Sequence, residues 1–306
     1  MLDIVASARD EYVLRGKCAG VGGDGDGVPV GRRSNLKGGD AALLRNLVRA
    51  NMEEEADGDK GLTEDELLSN VFTFLLAGHE TSANTLSFAL VLIALHPEVQ
   101  QKMYEESMRI WPEGSDTTSE NFTSEYTLAT FRETLRLFPV ETRLPKVTTS
   151  DTKLTGRRFS KADLVSFTPD AISKGLKKFE IAIPKGSSIL IDCYGVHRNP
   201  MYWGTDCRDF RPERFIDTET YRWPRDAFLG FSAGARGCIG ARFALTEGIC
   251  ILALFVQRFE IIPPPEVVRM EKEGKGWEER FKWMTRWAPE ITIRPVNARV
   301  GVRRRV

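Results

Sequence analysis

The sequence predicts a mainly α-helical fold with a small β region. A proline-free, apolar-rich run extends from Thr63 to Leu95, and two more helix-periodic segments bounded by prolines follow it. Alternating, β-branched stretches concentrate between residues 140 and 195. With 306 residues, 42% hydrophobic and 28% charged, the chain has the composition of a globular protein able to bury a sizeable core. Lys+Arg and Asp+Glu balance at 43 each, which excludes an extended nucleic-acid surface and leaves the RRR at 303–305 as an expected solvated tail.

Residues 1–60 are expected to form an N-terminal helix and a Gly-rich linker, with residues 61–306 as the folded core. The first residues, MLDIVASARDEYVLRG, lack an apolar core of signal-peptide length, and the segment 16–40 is glycine-rich and polar. Two motif lookalikes lie there and are rejected. GVGGDG matches the dinucleotide fingerprint, but no strand precedes it and no helix follows. DGDG opens like a calcium loop, yet the twelfth position from Asp24 is Asn35 where a glutamate is needed. The most apolar stretch, Val71 to Leu95, is broken by His79, Glu80 and Asn84, so no membrane span is expected.

The long helix starts at a capping box, with Thr63 as N-cap and Glu66 at the third helical position. At a rise of about 1.5 Å per residue it is roughly 48 Å long. His96-Pro97 ends it, and Pro97 opens a second helix, PEVQQKMYEESMRI. A third covers about Ser124 to Phe138, burying Leu128, Phe131, Leu135 and Phe138 before Pro139 stops it. TRLPKVTTSD and EIAIPKGSSILIDCYGV then form a small sheet, with an irregular insert near 156–178. RWAPEITIRP is expected to be one more short strand.

The most unusual stretch is FSAGARGCIG, Phe231 to Gly240, where three glycines surround one cysteine just before the apolar run ARFALTEGICILALFVQRF. Glycine serves tight turns and close approach, so this is a loop wrapped around Cys238, and the positive end of the following helix favours a thiolate. Five cysteines with no CxxC pair exclude a disulfide framework or a zinc site built on close pairs, and fit a reducing compartment. Cys238 is then a buried small hydrophobe, a nucleophile served by His79, His96 or His197, or the single thiolate of a metal cofactor such as heme.

The loop fills every fixed position of F-x-x-G-x-R-x-C-x-G and resembles the heme-binding loop of the cytochrome P-450 family, the heme-thiolate monooxygenases. Three further signatures of that family stand in its order: AGHET at 77–81, ETLR at 133–136 and PERF at 212–215. The resemblance runs from about residue 60 to the C-terminus. It implies a cytochrome P-450-like fold whose N-terminal part, with its anchor, β-rich region and early helices, is missing from this sequence.

The resemblance also assigns roles. Cys238 would be the axial thiolate of heme b (iron protoporphyrin IX). Arg236 and Arg143 would pair with its propionates, Phe231 would shield the sulfur, and Gly234 and Gly240 would make room for the turn and the porphyrin. Thr81 would hydrogen-bond dioxygen in a mid-helix groove at Ala77-Gly78, and Glu80 would help bring protons inward. Glu133 and Arg136, at i and i+3, share a helix face and with Arg214 would form a buried network bracing the segment that leads to Cys238. Val140, Glu141 and Thr142 would face the substrate, and His197 is left as structural.

The implied function is insertion of one oxygen atom from O2 into a small organic substrate, with electrons from an NADPH-linked reductase. The rival expectation is a truncated, non-catalytic remnant that keeps the scaffold but does not retain heme. A cysteine hydrolase is a third reading, weakened by the lack of a base placed near Cys238. Localisation stays open, although full-length members of the family are often anchored to the endoplasmic reticulum membrane.

Overall fold

The computed structural model describes residues 47–52, 61–112, 124–158, 177–290 and 292–305. The Gly-rich segment 16–40, both rejected motifs and most of the insert near 156–178 lie outside the described residues. The chain divides into two compact units, Met1–His79 and Glu80–Val306.

In the first unit, residues 47–52 are helical and Val48 packs with Leu67 in a small apolar cluster. The Asn51 amide donates to Leu62 O at 3.1 Å and accepts from Leu62 N–H at 2.5 Å. Helix α1, Glu64–Leu95, begins at the expected capping box. Thr63 N–H donates to Glu66 Oε2 at 2.9 Å, and Glu66 N–H donates to Thr63 Oγ1 at 3.3 Å. Phe72, Leu75 and Leu76 of this helix are more than half exposed.

The second unit holds the main core. Phe88, Val91, Leu92 and Leu95 of α1 are buried in it, and Phe88 stacks on Phe138 with ring centroids 4.6 Å apart. Helix α2, Pro97–Ile110, begins on its proline as expected. Gln100 docks it by exchanging two bonds with Ile261, at 2.8 and 2.7 Å, and Ser107 donates to Ala253 O at 3.1 Å. Helix α3, Glu125–Leu137, takes its N-terminal cap from α2. The buried Glu106 carboxylate accepts from the Tyr126 and Thr127 amides at 2.7 and 2.9 Å and from the Ser124 hydroxyl at 2.6 Å.

The small sheet expected at 140–195 is instead two antiparallel ribbons in series. Strand β1, Arg143–Val147, pairs with β4, Ser188–Asp192; β2, Thr152–Arg158, pairs with β3, Lys177–Ile183. The ladder breaks because Gly186 turns left-handed, at φ +82°, and the Thr148 hydroxyl donates to Pro184 O at 2.7 Å. Short helices α4, Cys193–His197, and α5, Pro200–Trp203, lead into a meander.

Helix α6, Ala241–Arg258, follows the cysteine loop and lies against α3. Its Gly248 permits the close approach, since a Cβ there would sit 2.3 Å from the Phe131 ring. Then come β5, Phe259–Ile262, and two helices the sequence pattern did not reveal: α7, Pro265–Lys272, and α8, Trp277–Met284. RWAPEITIRP is two strands, not one: β6, Trp287–Pro289, pairs with β7, Ile293–Pro295, because Pro289-Glu290 reverses the chain. The basic tail exposes Arg303 and Arg304 to solvent as expected, but its backbone is paired. Residues Gly301–Arg304 form β8 on β5, Arg303 pairs with Glu260, and Arg305 donates to Val256 O and covers the Tyr104 ring at 4.2 Å. Among the described residues no single helix is long and apolar enough to cross a membrane.

Candidate functional site

The loop from Phe231 to Gly240 is shaped by its own backbone. Cys238 N–H donates to Phe231 O at 2.8 Å, and Gly237 N–H donates to Gly234 O at 3.0 Å. Gly234 sits at φ +73°, where a side chain is strained, and Ser232 takes φ +60° despite its Cβ. Helix α6 starts three residues after Cys238, and Ala241 N–H bonds Cys238 O at 3.3 Å. Phe231 is half-buried against the core, but Arg236 and Cys238 are exposed, and Ile239 is 84% exposed. At Gly240 a Cβ would lie 3.9 Å from Cys238 Sγ, which is ordinary contact.

The other described thiols differ. Cys193 and Cys207 are buried and Cys250 is half-buried, and burial pushes the Cys193 and Cys250 thiols up from their ordinary range. Among the described residues no group of three or more His, Cys, Asp and Glu is placed to hold a metal ion. Ile239, next to Cys238, and Phe243, in the first turn of α6, are exposed apolar side chains. The nucleophile reading gains no base from His197, which spends both ring nitrogens on backbone groups.

The structure brings Glu133, Arg136 and Arg214 together. Arg136 binds Glu133 bidentately, at 2.6 and 2.9 Å, and donates to the carbonyls of His197, Cys207 and Asp209 at 2.7, 2.6 and 3.2 Å. Arg211 N–H adds a bond to Glu133 at 2.8 Å, and Arg214 Nε lies 3.5 Å from the same carboxylate. Arg214 also holds Asp206 at 2.8 Å and donates to Trp203 O at 2.7 Å. Burial pushes the Glu133 carboxyl up, against the pull of Arg136, the Arg211 amide and Arg214.

Glu80 and Thr81 lie on α1. Glu80 Oε1 accepts from the Thr292 hydroxyl at 2.6 Å, and Thr292 Oγ1 accepts from Asn84 at 3.0 Å. The Thr81 carbonyl accepts from the Thr85 hydroxyl at 2.8 Å. Thr292 also lines a cavity of about 400 Å³ between the start of β1 and the β6–β7 hairpin, with Glu141, Thr142, Arg143, Tyr194 and Trp287. Val140 borders it too, but is buried in the core and not turned wholly outward; Glu141 is exposed and Thr142 half-buried. Burial raises the Glu141 carboxyl, and the Arg143 amide opposes the shift. Arg143 itself is exposed at the head of β1, on a different element from Arg236. A larger hollow of about 650 Å³ where β2 begins and β3 ends, lined by Asp151 and Lys153, holds none of these groups.

Sequence reading did not find Thr292, Trp287, Tyr194 or Glu106. The Pro289-Glu290 turn signal was the available clue to the hairpin that carries Trp287 and Thr292. Nothing local marks Glu106, whose partners lie 18 to 21 residues away.

A family model described as cytochrome P450 matches residues 31–182 and 176–278. Cytochrome P450 monooxygenase 124 of Postia placenta is 35% identical over 266 residues, 86% of this chain and 46% of that protein. Cyclooctat-9-en-7-ol 5-monooxygenase of Streptomyces melanosporofaciens is 36% identical over 76% of this chain and 44% of its own length. Cytochrome P450 3A5 of Homo sapiens is 33% identical over 76% of this chain and 42% of its own length. The chain thus spans less than half the length of these relatives.

Proposed function

The chain belongs to the cytochrome P450 family, and from that premise we propose that it serves a heme-dependent monooxygenase acting on a small organic molecule, with Cys238 as the axial thiolate. The observation that carries this reading is the thiol itself, exposed and held on a glycine turn just before α6. Heme, when bound, would supply the activation of O2 and the transfer of one oxygen atom to substrate. Electrons would come from a redox partner protein, an NADPH-linked reductase in this proposal.

The chain's own residues have distinct tasks. The loop amides fix where the sulfur points, and Arg236 and Arg143, both exposed cations, would receive the cofactor's carboxylates. Phe231 would limit water at the sulfur. Glu80 would hold a proton at its carboxylate and exchange it through the Thr292 hydroxyl 2.6 Å away, which Asn84 orients. Thr81, one residue further along α1, would pass a proton from its hydroxyl. Glu133, Arg136 and Arg214 would act in assembly and not in the reaction, since their side chains are shut into the protein.

The test is heme retention and the red-shifted ferrous carbon monoxide band in Cys238→Ala and Cys250→Ala. Loss of the band in the first and its survival in the second is the expected result. Equal retention in both overturns the thiolate assignment. No heme in unmodified protein supports a scaffold that does not retain the cofactor.

A further inference from the structure

His197 is fully buried at the end of α4, and its ring is fixed from three sides. Nε2 lies 2.7 Å from the Leu229 amide nitrogen, and Nδ1 lies 3.1 Å from Arg136 O. An amide N–H only donates and a carbonyl oxygen only accepts. The ring must therefore be neutral, with the proton on Nδ1 and the lone pair on Nε2. Its face stacks on Phe228 at 5.4 Å, and its own backbone carbonyl accepts from the Arg136 guanidinium at 2.7 Å.

These contacts form one bridge. Arg136 and His197 exchange two hydrogen bonds, and His197 then holds Leu229 N–H. Leu229 O accepts from Ser232 N–H at 3.0 Å, and Phe231 O accepts from Cys238 N–H at 2.8 Å. We propose that His197 is a positioning residue for the cysteine loop, transmitting the placement of Arg136 through the Leu229 amide to the turn that presents Cys238. The role of the loop as heme ligand rests on the proposed function, but the bridge itself does not.

Protonation would break the bridge, because Nε2–H would face the Leu229 N–H. The charged groups facing the ring are Arg136 from α3 and Arg198 next in the chain, both positive; Phe228 and Trp203 contribute none. Burial first, and then Arg136, push the imidazole down to about 4.

The test uses the full chain. It has only three histidines, so nitrogen-15 labelling of histidine reads each ring directly. His197 should be the neutral Nδ1–H tautomer at neutral pH and stay neutral until about pH 4. In His197→Phe the Leu229 amide should exchange with solvent about tenfold faster or more, while the Ile261 amide, held similarly by Gln100, should not change. His197→Gln, which keeps an acceptor, should restore much of the protection. An Nε2–H tautomer or an imidazolium at neutral pH overturns the proposal, as does unchanged Leu229 exchange or equal acceleration at Leu229 and Ile261. Should the Phe variant not fold, the tautomer and the Gln variant decide. A chain that takes up no heme counts against the proposed function and leaves these readouts intact.

Discussion

Around Glu133, the contacts are charge-assisted bonds among side chains and distant carbonyls, and the side chains of Glu133, Arg136 and Arg214 at their centre are closed off from solvent. Around Cys238 they are backbone bonds within ten residues, and the side chains of Arg236, Cys238 and Ile239 face outward. Both regions combine cysteine, arginine or glutamate with short hydrogen bonds, yet only the first is complete within the protein. The contrast separates groups that hold the fold from groups whose side chains are left exposed. It follows that stability and cofactor chemistry respond to different substitutions.

Glu133→Ala tests the closed side most severely. It strands Arg136 without its carboxylate, while Arg214 keeps Asp206, and breaking a buried pair in this way costs about 3–5 kcal/mol. Denaturant unfolding, or the yield of soluble protein, should show the loss. A variant as stable as wild type removes the bracing role from this pair.

Acid tests the same region through His197. Its folded-state value is lowered from 6.5 to about 4, so between these values the unfolded chain binds a proton that the folded chain refuses. The stabilisation is fully present above about pH 6.5 and is lost as pH falls toward 4, by about 3 kcal/mol in all. The check is unfolding of wild type and His197→Gln at neutral pH and at about pH 4.5, where wild type should lose more stability. Parallel losses in both proteins contradict this.

The smallest effects sharpen the comparison from its two ends. Gly248→Ala drives a Cβ into the Phe131 ring behind the brace, and overpacking of that kind costs about 1–3 kcal/mol. Cys238→Ala, on an exposed loop, should change unfolding by no more than about 0.5 kcal/mol while removing the thiol. Thermal melts of the cofactor-free protein compare the two. A large loss at Cys238 would mean that the loop, too, is structural.

Much of this was legible in the sequence where the causes are local. Thr63 and Glu66 are three residues apart, Pro97 removes an amide that a helix cannot use, and Gly234 sits where a turn demands a positive φ. Glu133 and Arg136 share a face for the same short-range reason. RWAPEITIRP misled because alternation signals a strand without saying whether it folds back, and the arginine tail misled because charge alone does not reveal a paired strand.

The sequence by itself determined helices α1, α2, α3 and α6, the glycine turn and the presence of a single thiol inside it, because backbone geometry and capping act over three or four residues. Tertiary structure alone decided that Glu106 caps α3, that Gln100 seats β5, that Thr292 reaches Glu80 and that His197 carries its proton on Nδ1. Such partners stand about 20 to 212 residues apart. A buried polar atom takes whatever donor or acceptor the packed elements bring to it, and that choice exists only once the apolar faces have closed.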